Sequence, residues 1–423
     1  MPPRERDRIE HLGHEVTVAN AHPGADTTVS HIEPSATIAR VSSDPFGLRS
    51  LDIEQLRRKR CAKWAAARDG YAAWIADMDF PVAPEIRAAL QAVIDGDEFG
   101  YPDWGGVEVL SPAATLFPQR MAERFGWEPA LDRVHDLANV IQGVRAVIHH
   151  LSGHGDGVVL HMPAYYPFLD TLERMGRRLV PVEWDGNAFD YERLAADLAR
   201  TEARVWILAH PHNPLGHVFE RAELERIAEL AARHDLTVIA DEVHADLTYP
   251  PARHVPFASL APDVEARTVT LTSASKAFNL AGMRWAVVHM GSDAFRHAIE
   301  SLPGHYLGAP NQMGVVAAVA AWTGGGEWLD ATRAVLDENR HALRDLLASG
   351  LPGSRYAPPG ATYLAWIDLR DAGLGDDPAA VLRERNVVVS PGPQFGPQGA
   401  GHVRLNFATS PAILAETVKA MAG

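Results

Sequence analysis

Four short, almost unbroken apolar runs occupy the middle of the chain: Gly157-Val-Val-Leu-His-Met162, Val205-Trp-Ile-Leu-Ala209, Leu236-Thr-Val-Ile-Ala-Asp241 and Thr268-Val-Thr-Leu-Thr272. Runs this short, without strict polar alternation, suit strands covered on both faces. Between the second and third runs, Leu224, Ile227, Ala228, Ala231 and Ala232 recur at helical spacing. This predicts a helix over Glu220–His234 with one core-facing stripe. Strand and helix alternating in this way from Val134 to Met290 imply a mainly parallel α/β sheet.

The pattern changes toward the C-terminus. A long helical stretch, Glu327–Leu347, precedes candidate strands at Tyr363–Leu369, Val387–Val389 and Val403–Phe407, and a helix at Ala412–Met421 closes the chain. These elements read as a smaller α+β domain. A length of 423 residues accommodates two domains. The expected division is a flexible extension over 1–45, a segment over 46–95 that packs with the small domain and opens with a short helix near Asp52–Ala67, a large domain over 96–326, and the small domain over 327–423.

The formal net charge of −15 argues against a nucleic-acid partner, because an acidic surface repels phosphate backbones. No apolar run reaches the roughly 20 residues a membrane span needs. Met1–Glu10 lacks the apolar stretch of a secretion signal. Cys61 is the single cysteine, which excludes an intramolecular disulfide or a cysteine metal cluster and fits a reducing cytoplasm. Lysine occurs only at Lys59, Lys63, Lys276 and Lys419 in a chain rich in arginine, so a lysine in a structured loop draws attention.

One such lysine lies in Ser273-Ala-Ser-Lys-Ala-Phe-Asn-Leu-Ala-Gly-Met-Arg284, just past the run Thr268–Thr272. Open α/β sheets place their ligands at the carboxyl ends of strands. There Ser273 and Ser275 offer hydroxyls to a phosphate, Arg284 offers a charge-assisted fork, and a Lys276 with a lowered pKa is nucleophilic toward an aldehyde. Asp241 ends another buried run, where its carboxylate suits a protonated ring nitrogen. Asn213, in His210-Pro-His-Asn213-Pro-Leu-Gly216, offers a donor to a ring oxygen. Taken singly, each segment also fits an ordinary Ser/Lys loop, an Asp-capped turn or an Asn-Pro turn. His210 and His212 lack a third ligand at metal-binding spacing, so no metal site is expected.

Together and in this order, Asn-Pro-x-Gly, Asp-Glu-x-His and Ser-x-Ser-Lys resemble the fold-type I, pyridoxal 5′-phosphate (PLP)-dependent aminotransferase superfamily, class I/II. Within it the chain is most similar to the cystathionine β-lyase subgroup of MalY/PatB type. Further segments carry the likeness from about Trp64 to the C-terminus: Trp74-Ile-Ala-Asp-Met-Asp-Phe80, Phe99-Gly-Tyr101, Pro163-Ala-Tyr-Tyr-Pro-Phe168, His254-Val-Pro-Phe-Ala-Ser-Leu260, Ala361-Thr-Tyr-Leu-Ala-Trp366 and Val403-Arg-Leu-Asn-Phe-Ala408.

The resemblance implies that Lys276 carries PLP as an imine, Asp241 pairs with the ring nitrogen and Asn213 donates to the ring oxygen. It places Tyr165 or Tyr166 against the ring, with Pro-x-Tyr spacing favouring Tyr165. It assigns phosphate-facing N–H groups to Gly143, Val144 and Arg145, read as opening a helix after a strand at Leu137–Ile141. Arg404 resembles the clamp for the substrate α-carboxylate. Tyr101 resembles a tyrosine reaching the neighbouring subunit's phosphate, which implies a homodimer with shared sites. Asp79 and Tyr363, with nearby aromatics, suggest the substrate mouth. His244 resembles the lyase subgroup, whereas Arg284 is commoner among aminotransferases. The implied reaction is β-elimination from an S-substituted L-cysteine to a thiol, pyruvate and ammonia. An aminotransferase or decarboxylation-linked deaminase on the same scaffold, and a non-catalytic regulatory binding protein, are the alternatives.

Overall fold

The computed structural model describes residues 44–105, 110–303 and 306–423. Apart from Asp44 and Pro45, the expected extension over 1–45 lies outside the described residues. The strands are β1 (Tyr71–Ala73), β2 (Val134–Leu137), β3 (Gly157–Met162), β4 (Arg178–Glu183), β5 (Ala203–Ala209), β6 (Thr237–Asp241), β7 (Thr268–Thr272), β8 (Ala286–Met290), β9 (Leu364–Asp368), β10 (Val387–Pro391) and β11 (His402–Asn406).

Seven of them form one sheet in the order β2-β8-β7-β6-β5-β3-β4. The pairings β3–β4, β3–β5, β5–β6 and β6–β7 are parallel, and β8 runs against both its neighbours. The four apolar runs thus become four adjacent central strands, β3, β5, β6 and β7. Successive side chains go to opposite faces. Val205, Ile207 and Ala209 of β5 enter one core while Trp206 and Leu208 enter the other. Helices cover both faces. One of them, Arg221–Arg233, buries Leu224, Ile227, Ala228 and Ala231 in the second core, as its periodicity requires.

A second sheet has the order β1-β10-β11-β9. Strand β1 pairs parallel with β10, Tyr71 to Val387 through Ala73 to Val389, so the N-terminal segment completes the C-terminal sheet. The expected short helix near Asp52–Ala67 is instead two short helices, Ile53–Arg57 and Ala62–Ala65. The long helix runs over Gly326–Gly350 and packs in a core with Leu364, Ile367, Val387, Val403 and Leu405.

One expected strand is corrected. Strand β2 stops at Leu137, and a helix over Val140–Leu151 begins where a strand to Ile141 was predicted. Asn139 caps it, accepting from the Gln142 N–H at 3.0 Å, and the Gln142 side chain accepts from the Ala138 N–H at 3.0 Å. These reciprocal bonds end the strand despite the apolar residues that follow.

Candidate active site

Three neighbouring strands of the large sheet deliver three polar loops to one edge. In register, Ala209 of β5 lies opposite Asp241 of β6, and Asp241 opposite Leu271 of β7. Asn213 follows β5, Asp241 ends β6 and Lys276 follows β7. The loops are tied by backbone bonds, His210 N–H to the Asp241 carbonyl and Glu242 N–H to the Leu271 carbonyl, each 2.9 Å.

Asp241 is buried, and among the described residues its carboxylate accepts only the Val243 N–H, at 3.2 Å. Burial raises its carboxyl to about 7, against the pull of that N–H and of Lys276. A buried carboxylate with most of its acceptor capacity unused fits a protonated ring nitrogen. His244 is buried with an unpartnered Nδ1. Burial, then the Lys276 and Arg404 cations, lowers its imidazole to about 3, so the ring is neutral. Lys276 is half-buried and its Nζ donates to the Ala76 carbonyl at 3.0 Å. Burial lowers its proton affinity; Asp77 and Asp241 oppose this and Arg404 adds to it.

Arg404, on β11 of the small sheet, reaches across to the large one. One guanidinium nitrogen donates to Asn213 Oδ1 at 3.0 Å; the other donates to the Trp74 carbonyl at 3.0 Å and to Ser390 Oγ at 3.3 Å. Phe395 lies 4.8 Å from its Cζ. Asn213 accepts from Arg404 through its oxygen, so its amide N–H groups remain as donors. Tyr165 precedes the helix Tyr166–Arg174 and is half-buried, whereas Tyr166 is 41% exposed. Burial raises the Tyr165 phenol to about 12; Tyr166 and Asp241 add to the rise and Arg404 opposes it.

Several expected residues stand differently. Gly143, Val144 and Arg145 do not open their helix. They lie in its second turn, where N–H groups are consumed by carbonyls four residues back. A Cβ on Gly143 would meet Leu271 at 2.6 Å and Leu137 at 2.8 Å, so this glycine lets the helix lie close to the sheet. Val144 is core, and Arg145 is exposed with its Nε donating to Thr171 Oγ1 at 3.1 Å. The N–H groups free at the helix start belong to Val140 and Ile141. Ser273 donates its hydroxyl to the Trp285 carbonyl at 2.6 Å and accepts from the Ser275 N–H at 3.0 Å, so its proton is committed within the loop. Ser275 is half-buried and Arg284 is exposed, with a left-handed backbone at φ +58.

Asp79 does not face a mouth. It is buried in an ion pair with Lys63 at 2.9 Å and accepts from Trp64 Nε1 at 2.8 Å. Tyr363 is fully buried, and its hydroxyl donates to the Ala76 carbonyl at 2.8 Å. Tyr101 is fully exposed in the single chain.

The segment 74–80, not assigned a role from the sequence beyond Asp79, links these groups. Its carbonyls accept from Arg404 (Trp74), Asn406 (Ile75 and Asp77), Lys276 and Tyr363 (Ala76), Lys63 (Asp77), Asn279 (Met78 and Phe80) and Lys59 (Asp79). Three of the four lysines therefore end on this strap. The Trp-Ile-Ala-Asp-Met-Asp-Phe motif marks it in sequence, but backbone acceptors leave no residue-type signature.

Residues 76–421 match the model of the class I and II aminotransferases, and the chain belongs to that family. It is 32% identical to cystathionine beta-lyase PatB of Bacillus subtilis, over 87% of this chain and 96% of that protein. It is 33% identical to protein MalY of Escherichia coli, over 82% and 90%. The fold is similar to that of cystalysin from Treponema denticola, whose structure contains pyridoxal 5′-phosphate: TM-score 0.79 at 25% identity, covering 86% of this chain and 96% of that one.

Proposed function

We propose that this protein is a PLP-dependent carbon–sulfur β-lyase that cleaves an S-substituted, cystathionine-like L-cysteine to a thiol, pyruvate and ammonia. The observation that carries the reading is the convergence of Lys276, Asp241 and Asn213 at one sheet edge, with Arg404 reaching in from the second sheet. Similarity to PatB, named as a cystathionine beta-lyase, over nearly the whole chain supports the choice of reaction.

PLP supplies an aldehyde that bonds an amine and a ring that draws electrons from the α-carbon. Lys276 is the attachment point, and burial favours its neutral, nucleophilic form. Asp241 pairs with the ring nitrogen, and Asn213 donates to the ring oxygen with His244 beside it. Tyr165 covers the ring. The free N–H groups of Val140 and Ile141, with Ser275, receive the phosphate. Arg404 binds the α-carboxylate; its contacts to Asn213, Trp74 and Ser390 fix the plane of the fork before substrate arrives. Once released, the Lys276 amine removes the α-proton as general base. Tyr101, with the neighbouring exposed Phe99 and Ile94, is covered by a second copy, giving a homodimer with shared sites.

The test is direct. Borohydride reduction of the PLP-loaded protein followed by peptide mapping should label Lys276, and L-cystathionine should yield pyruvate. Labelling elsewhere would remove the site assignment. Keto-acid-dependent turnover without pyruvate release would replace the lyase with an aminotransferase.

A further inference from the structure

The Ala76 carbonyl receives two side chains of the site. The Ala76 oxygen accepts from Lys276 Nζ at 3.0 Å and from the Tyr363 hydroxyl at 2.8 Å. A carbonyl has two lone pairs, so these donors together use its capacity. Neither donor arrives by accident of a loose loop. Ala76 lies in the strap whose neighbouring carbonyls are held by Arg404, Asn406 and Lys63.

Tyr363 is aimed with equal firmness. The Thr362 N–H donates to the Leu247 carbonyl and the Phe407 N–H to the Tyr363 carbonyl, each at 3.0 Å. Thr362 has φ +70, a left-handed conformation that a β-branched residue rarely adopts. Such strain persists where the surroundings over-determine it. The Tyr363 ring next to it is buried, with 1% exposure.

We propose that Tyr363 is a positioning residue for Lys276, acting through the Ala76 carbonyl that the hydroxyl and the amine share. This rests on Lys276 being the cofactor-bearing amine. The Ala76 oxygen is where that amine rests when it is not bonded to PLP, and Tyr363 sets how strongly the oxygen holds it. The positive end of the tyrosine O–H dipole points at the oxygen the amine also uses. It therefore weakens the attraction of that oxygen for an ammonium and favours the neutral amine. The charged and titratable groups facing the amine are Asp77 on the strap, Asp241 at the end of β6, Arg404 on β11, and His244. Tyr363→Phe keeps all four of these side chains in the sequence and removes only the hydroxyl that shares the Ala76 oxygen.

The full-length chain is freed of cofactor, mixed with PLP across a pH series and quenched with borohydride, and modification at Lys276 is read by mass spectrometry. Tyr363→Phe is compared with Tyr191→Phe. Tyr191 packs against the second core of the large sheet, and its hydroxyl donates to Glu223 Oε1 at 2.9 Å, away from the strap and from Tyr363. Tyr363→Phe should move the midpoint of capture upward by roughly half to one pH unit, a threefold to tenfold fall in initial capture at neutral pH. Tyr191→Phe should leave the midpoint where it is in the parent protein. An unmoved midpoint in Tyr363→Phe, or equal shifts in both variants, overturns the inference while leaving Lys276 as the attachment point. Absence of capture at Lys276 in the parent protein overturns both.

Discussion

The ion pair between Lys63 and Asp79 gives the sharpest test of how the strap is built. Both side chains are almost wholly buried, at 1% and 2% exposure, and 2.9 Å apart. Lys63 also donates to the Asp77 carbonyl at 3.0 Å, and Asp79 accepts from Trp64 Nε1 at 2.8 Å. Asp79→Ala leaves a buried ammonium with only a neutral carbonyl, a loss of about 3–5 kcal/mol. The stranded Trp64 N–H adds to this loss, although the two costs overlap. Lys63→Met strands the carboxylate with one N–H donor and falls in the same range. The double variant Lys63→Met/Asp79→Leu replaces both charges by apolar groups and should cost far less than the sum, with a coupling of a few kcal/mol. Urea midpoints of the PLP-saturated proteins give the comparison. Additivity within about 0.5 kcal/mol would refute the buried-pair argument. An Asp79→Ala protein of parental stability but with a large rise in KM would return Asp79 to the substrate mouth.

Arg404→Lys exchanges a planar fork for a point charge. It should lower kcat/KM for a cysteine thioether by about tenfold to a hundredfold, matching one lost charge-assisted hydrogen bond at roughly 1.5–3 kcal/mol; an unchanged value would separate Arg404 from the carboxylate. Asp241→Ala should retain some covalently captured PLP yet lose exchange of the substrate α-hydrogen in heavy water, followed by NMR, and exchange at the parental rate would count against its pairing with the ring. Acidification should destabilise the cofactor-free chain. Burial holds His212, His244 and His254 at about 3 and His161 and His210 well below the usual 6.5, so their contribution to stability is lost as the pH falls from 6.5 toward 3. Burial raises Asp241 and Glu242 to about 7, and these two gain stability on acidification below that value. Five imidazoles outweigh two carboxyls, so the urea midpoint should be lower at pH 5 than at pH 7; a rise would mean that the carboxyls dominate.

The central sheet was readable because its strands are buried on both faces and their composition says so without context. The expected runs at Gly157–Met162 and Thr268–Thr272 coincide with β3 and β7, and the helix expected over Glu220–His234 is present as Arg221–Arg233. The misread stretch at Leu137–Ile141 shows the limit of apolar content as a signal. The Asn139-x-x-Gln142 cap was present in the sequence and outweighs two β-branched residues. Strand β1 left no comparable trace. Three residues carry no period, and only pairing with β10, more than 300 positions away, makes them a strand.

The sequence alone determined that Lys276, Asp241 and Asn213 lie at or just past the ends of strands, because the apolar character of those strands identifies them locally. Tertiary structure alone decided what each polar side chain faces. It turned Asp79 inward to Lys63, spent the Ser273 hydroxyl on Trp285, and brought Lys276 and Tyr363 to one carbonyl. The physical reason is that hydrogen bonds and ion pairs are settled by distances of about 3 Å between groups far apart in the chain, and backbone carbonyls, which accept most of the bonds around this site, are chemically the same at every position.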